Sequence, residues 1–162
     1  MKKSNKNAAI AYAIVGHDLA AHLFHVTLTV DAPSPDGQVF ALPAWIPGSY
    51  MIREFSRNIV RIRAESNGEA VALTKLDKHS WQAAAQKDRL KEPSPLTLHY
   101  EVYAWDLSVR AAHLDQTHGF FNGTSVFLRV LGQEDEAHVL EVLQPPALAH
   151  WSLATEIGRA HV

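Results

Sequence analysis

Apolar and polar positions alternate with a period of two along most of this chain. That spacing turns one face of a β-strand toward a core and the other toward water. The segment HLFHVTLTVDA (residues 22–32) is rich in β-branched residues and ends at PSPDGQ, a turn signal of Pro, Asp and Gly. Before it, AIAYAIVG sets Ile10, Tyr12 and Ile14 on one face of a first strand. VFALPAW (39–45) continues as a strand that Pro43 must end or push to an edge. NIVRIRAES (58–66) alternates Ile59, Arg61 and Arg63 against Val60, Ile62 and Ala64, and Asn67-Gly68 predicts a hairpin into EAVALTK. LTLHYEVYAWDLSV (96–109) reads as one long strand, followed by TSVFLRVLG and HVLEVLQPP. Two short helices compete with this pattern: HSWQAAAQKDRLK (79–91), and a single turn in GHDLAAHLF (16–24).

The expectation is a mostly β fold, an antiparallel β-sandwich or curved sheet with one or two short helices. Residues 1–9 read as an N-terminal extension and 10–155 as one β domain. KEPSPL (91–96) is a loop within it, and there is no internal repeat. The final EIGRAHV (156–162) breaks the pattern and resembles sequencing-adapter read-through, so it reads as a non-native tail on a fragment.

Composition narrows the function classes. A chain of 162 residues with 47% hydrophobic content can bury a sizeable core. A net charge of −2 and the lack of any Lys/Arg block beyond Lys2-Lys3 argue against nucleic acid as a partner. No apolar run approaches the ~20 residues of a membrane-spanning helix, so no membrane partner is expected. The basic, apolar start MKKSNKNAAIAYAIVG mimics a short secretory signal. The strand reading is preferred there, which gives a cytoplasmic localisation, with a secreted or periplasmic one as the alternative. With no cysteine, disulfides, Cys-ligated zinc and thiol catalysis are excluded.

Ten histidines invite a metal reading, yet no His-Glu pair occurs, so the HExxH motif of zinc peptidases is absent. His22 and His25, three apart on a strand, point to opposite faces. HLDQTH gathers His113, Asp115 and His118, but loop histidines bonded to backbone are the commoner case, and no metal ligand is assigned. Ser49 lies in no nucleophile elbow, and GFFNGT has neither P-loop nor Rossmann spacing. No catalytic residue is therefore assigned. Asn122-Gly123-Thr124 is a glycosylation sequon that matters only in a secreted eukaryotic protein. Arg61 and Arg63 read as a solvent-facing strand with cross-strand ion pairs. Arg53 and Glu54, directly after the rigid LPAWIPGSY turn, are less easily read as solvated decoration. In GFFNG one Phe suits a core and its neighbour a partner, a pocket or a second domain.

Three segments together, LPAWIPGSYMIREFSRNI (42–59), YEVYAWDLSVRAAHLD (100–115) and HGFFNGTSVF (118–127), resemble the N-terminal domain of the glycyl-aminopeptidase family of zinc metallopeptidases. The resemblance covers residues 10–155. It rests on Trp45, Pro47, Gly48, Ser49, Tyr50, Arg53 and Phe55, then Trp105, Asp106, Arg110 and Asp115, and finally Gly119, Phe120, Asn122 and Gly123. The family is distantly akin to aminopeptidase N and often carries a PDZ domain. The resemblance implies a multi-domain enzyme in which a β domain packs on a thermolysin-like catalytic domain holding zinc. This chain then reads as the accessory β domain of an enzyme releasing N-terminal Gly or Ala, truncated before the catalytic domain and inactive alone. Its implied partners are that catalytic domain and the parent's peptide substrate. It has no cofactor of its own, the zinc belonging to the catalytic domain. No zinc ligand or general base of the family maps onto a residue here. Tyr50, Arg53, Arg110, Asp115, Gln116, His118, Phe120 and Asn122 are the expected cleft-rim or interdomain residues, PGSY leaning to interface and DQTHGFFNG to rim. The alternative is a free-standing β-sandwich module binding sugar or peptide on Trp45, Tyr50, Trp81 and Trp105. A complete small hydrolase is a third reading that the empty motif search disfavours.

Overall fold

The computed structural model describes residues 9–85 and 94–155. The domain is built from twelve strands and three short 3-10 turns. Strands β1 (Ile10–Asp18), β2 (Leu23–Val30), β4 (Ile59–Ser66), β5 (Glu69–Val71), β8 (Leu96–Tyr103) and β12 (His138–Val142) form one sheet in the order β12-β1-β2-β8-β4-β5. A second sheet has the order β11-β3-β7-β6, from β3 (Val39–Ala41), β6 (Leu73–Lys75), β7 (Ser80–Ala83) and β11 (Arg129–Val130). A two-stranded ribbon pairs β9 (Ala112–Leu114) with β10 (Gly119–Phe121). All pairs are antiparallel except β1 with β12, a parallel exception to the expected pattern.

The alternation in the sequence is the alternation of burial. Along β2, Phe24, Val26, Leu28 and Val30 are buried, whereas His25, Thr27 and Thr29 are only partly covered. β8 does the same with Leu96, Leu98, Tyr100 and Val102. With Ile10, Tyr12 and Ile14 of β1 these side chains meet Phe40, Leu42, Trp81, Val126 and Leu128 in one core. Each such side chain contributes roughly 1.5–3 kcal/mol relative to exposure. Two hydroxyls stitch the layers: Tyr12 donates to the Leu128 carbonyl at 2.8 Å and Tyr100 to the Val126 carbonyl at 2.8 Å. The Tyr100 oxygen also accepts from the Leu128 N–H at 3.2 Å. Burial pushes the Tyr12 phenol up to about 12 and the Tyr100 phenol higher still.

Asn67 and Gly68, both at positive φ, form the hairpin turn that the sequence announced, with Ser66 opposite Glu69. Arg61 faces Glu101 across β4 and β8, the solvent-side ion pairing expected of that strand. Several expectations need correction. The register of β4 slips between Ile59 and Arg61, so Ile59 and Ile62 both pack on the core while Val60 is exposed. HSWQ is not helical. Ser80–Ala83 forms β7 because β3 and β6 pair with both of its edges, which overrides the helix preference of the alanines. The end of that expected helix, 86–91, lies outside the described residues, as do 92–93, 1–8 and the proposed tail 156–162. GHDLAAHLF makes a turn, its N–H groups of Ala20 and Ala21 donating to Asp18 Oδ1. The long strand stops at Tyr103, and Trp105 makes only a single bridge to His113. TSVFLRVLG yields a 3-10 turn (Gly123–Ser125) and the two residues of β11. Among the described residues, no helix is long and apolar enough to cross a membrane.

Candidate functional site

Two loops and one hairpin meet at the end of the sandwich where Leu42–Glu54 and the β8–β9 connection emerge. In the first loop the Trp45 indole N–H donates to the Ser49 carbonyl at 2.7 Å, and the Ser49 hydroxyl donates to the Met51 carbonyl at 2.9 Å. Arg53 Nε donates to the same hydroxyl at 3.1 Å, and the Arg53 and Glu54 N–H groups both close on the Ala44 carbonyl. Gly48 at φ +81 and Glu54 at φ 51 supply the left-handed turns that this folding-back requires. Buried Ile46 and Phe55 anchor the loop's ends in the core. Held by these bonds, the loop presents Trp45, Tyr50, Met51 and Ile52 outward; the Tyr50 side chain is fully exposed.

The second loop, 105–111, is held by Asp106 Oδ1 accepting the Ser108 N–H at 2.9 Å and by the Ala111 N–H donating to the Ser108 carbonyl. It presents Leu107 and Val109, about 70% exposed. Arg53 joins the loops, its mostly covered guanidinium 4.0 Å from the half-exposed Asp106 carboxylate, a long pair worth little by itself. Arg110 reaches back over Gly48, its Nη2 at 4.0 Å from where a Cβ there would sit. Glu54 turns instead to Lys78 at 3.4 Å.

The hairpin β9–β10 carries the other predicted residues. Leu114 pairs with Gly119, and the Asp115 N–H donates to the His118 carbonyl at 3.0 Å, so residues 115–118 form a tight turn. Asp115 Oδ1 accepts from the Thr117 N–H, the Thr117 hydroxyl and the His118 N–H, and Oδ2 faces His113 Nε2 at 3.0 Å. Those bonds, the Thr117 hydroxyl first, hold the Asp115 carboxyl well below the usual carboxylate range. Rings then stack in a column. His22 lies 3.9 Å from Trp105, Trp105 4.8 Å from His113, and His113 5.0 Å from His118. Phe120, opposite His113 in register, is exposed, while Phe121 packs on Phe24 and Phe127; the two neighbours divide as the sequence required. A side chain at Gly119 would be tight, since a Cβ would lie 3.1 Å from Leu114 Cδ1 and 3.4 Å from Phe24 Cζ. Asn122 caps the following 3-10 turn, its Oδ1 accepting from the Thr124 N–H and hydroxyl.

The structure therefore brings Tyr50, Arg53 and Arg110 into one loop pair and Asp115, His118 and Phe120 into an adjoining hairpin, with Trp105-Asp106 between them. Gln116 sits exposed at the turn and makes no contact with the others among the described bonds. Sequence reasoning missed His22 as a member of the ring column, and local spacing carried no sign of it: only the pairing of β2 with β8 brings it beside Trp105.

The architecture is a two-sheet β-sandwich with apolar side chains exposed on the loops at one end. Residues 11–161 match the family described as Peptidase M61 N-terminal domain, and the chain belongs to that family. It is similar to a solved aminopeptidase N family protein from Idiomarina loihiensis at 50% identity and a TM-score of 0.77, covering 85% of this chain. The chain spans only 22% of that protein's length. An M1 zinc metallopeptidase from Deinococcus radiodurans aligns over 75% of this chain and 28% of its own, at 14% identity and a TM-score of 0.43, too distant to carry an argument. No curated protein matches the chain.

Proposed function

We propose that this chain is the accessory N-terminal domain of a zinc aminopeptidase that releases N-terminal Gly or Ala, and that it is not catalytic by itself. One observation carries the reading. Six large apolar side chains, Trp45, Tyr50, Met51, Ile52, Leu107 and Val109, stand exposed on two adjoining loops braced by internal hydrogen bonds. So much exposed apolar surface gathered on neighbouring loops is the mark of a surface meant to be covered. The covering partner in this reading is the catalytic domain of the same polypeptide, with PGSY at the contact and the 115–122 hairpin at the cleft rim toward the peptide. The zinc and its activated water belong to that catalytic domain.

The alternative, an aromatic stacking platform for sugar or peptide, loses one of its four members. Trp81 is 5% exposed, in the core beneath the Lys75 ammonium, and Trp105 is stacked between His22 and His113. The test has two arms. The purified chain, with and without added zinc, is expected to release no glycine from a glycyl anilide; zinc-dependent release would overturn the accessory role. In the full-length parent, Ile52→Glu with Leu107→Glu is expected to loosen the domain, seen as new protease cutting between domains. Unchanged resistance to cutting would remove this surface from the contact.

A further inference from the structure

We infer that His113, Asp115 and His118 form a site for one divalent transition-metal ion of the zinc, cobalt or nickel class. One nitrogen of each ring and a carboxylate oxygen lie within 4.8 Å of one another, the only such group of three donors among the described residues. The sequence argument against a metal was that loop histidines bond to backbone. Neither ring does so here: His113 Nε2 faces Asp115, and His118 Nδ1 faces the Thr117 hydroxyl at 2.9 Å.

The hairpin prepares the donors before any ion arrives. On β9 the period of two puts His113 and Asp115 on one face, and the four-residue turn returns His118 to the same side. His113 is 4% exposed and gripped between Trp105 and His118. Three donors fix Asp115 Oδ1, which leaves Oδ2, facing His113 Nε2, as the oxygen available to an ion. Because the Thr117 hydroxyl gives its proton to Asp115, the proton of His118 rests on Nδ1 and points to the Thr117 oxygen, so Nε2 keeps its lone pair. A ligating imidazole whose second N–H is held in this way is the usual arrangement in metal sites.

The distances agree. Bonds of about 2.0–2.2 Å place tetrahedral donors roughly 3.3 Å apart. His113 and Asp115 already stand at 3.0 Å, and the half-exposed His118 completes a group whose donors lie within 4.8 Å of one another. Two imidazoles and one carboxylate suit zinc, cobalt, nickel or copper and not calcium or magnesium, which take oxygen ligands. Water would supply the fourth position, since His118 is half-exposed. One feature weakens the grip: His113 Nδ1 is sealed from solvent without a partner. An ion on Nε2 would send the proton to that nitrogen, where nothing accepts it, so the ion is held less tightly than at a structural zinc site.

The test is calorimetric titration of the chelator-treated 162-residue chain with zinc, with cobalt(II) absorbance as a second readout and magnesium as the comparison. One equivalent of zinc and of cobalt is expected, with a tetrahedral cobalt band and no heat from magnesium. His118→Ala, at an exposed position that spares the fold, should weaken binding by more than about tenfold. Thr117→Val, which removes only the support for His118 and Asp115, should weaken it by about tenfold. Circular dichroism unchanged in both variants separates these losses from unfolding, and His150→Ala should bind as the parent does. No zinc heat in the parent chain, or undiminished binding in His118→Ala, overturns the site.

Discussion

Tyr100→Phe removes one oxygen from the centre of the sandwich and tests whether the 126–128 segment is held by hydroxyls. Tyr100 is buried, and its hydroxyl both donates to the Val126 carbonyl and accepts from the Leu128 N–H. Val126 and Leu128 are themselves fully buried, and neither group has another partner among the described bonds. Phenylalanine therefore leaves a carbonyl and an N–H unpaired away from water, at about 1–3 kcal/mol each. Slight relaxation toward each other's partners lowers the sum, so the expected loss is about 2–4 kcal/mol. For a domain of this size that is roughly a 5–15 °C drop in Tm. Tyr12→Phe is the internal standard, because it strands only the Leu128 carbonyl and should lose about half as much. Because both hydroxyls meet at Leu128, the double variant should not be additive. Urea unfolding followed by tryptophan fluorescence gives the numbers, and hydrogen exchange of the Leu128 amide localises them. If Tyr100→Phe is no less stable than Tyr12→Phe, the segment is held by packing alone and the reasoning fails.

Three further outcomes follow from the same structure. Because the native state keeps Tyr12 protonated up to about 12, against about 10 in an unfolded chain, stability should be full below pH ~10 and fall as pH rises toward 12. Tm measured against pH should fall less steeply in Tyr12→Phe, and parallel curves would refute the assignment. The Asp115 carboxyl is depressed, so its share of stability is present above about pH 4 and is lost as pH falls below it; Asp115→Asn should flatten the acid limb of the same curve, and an unchanged limb would contradict this. Gly119→Ala should destabilise by about 1–3 kcal/mol in urea, through crowding of Leu114 and Phe24 rather than backbone strain, and a neutral result would mean that the hairpin shifts freely.

Much of the fold was legible because burial and alternation are one fact. β2 and β8 each bury every second residue, and Asn67-Gly68 supplied the φ > 0 pair that a two-residue hairpin needs. What misled was local: the alanines after Trp81 favour helix in isolation, yet two neighbouring strands claim the same backbone. The bulge beside Val60 was equally invisible, because one extra residue in a strand leaves no mark on composition. Of the site, the sequence singled out the signature residues but not their grouping.

The chain by itself determined its β character, the outward placement of one of the two adjacent phenylalanines, the absence of HExxH, and a family resemblance now shown by the match over residues 11–161. Only the tertiary structure decided that residues 44–54 and 105–111 share an apolar end, and that His22, Trp105, His113 and His118 stack in one column. The reason is range. A period of two fixes which face a residue takes within its own strand, a decision over a few residues. Which strands become neighbours is settled by closures as long as Tyr12 to Leu128, 116 residues apart, and no local pattern encodes those.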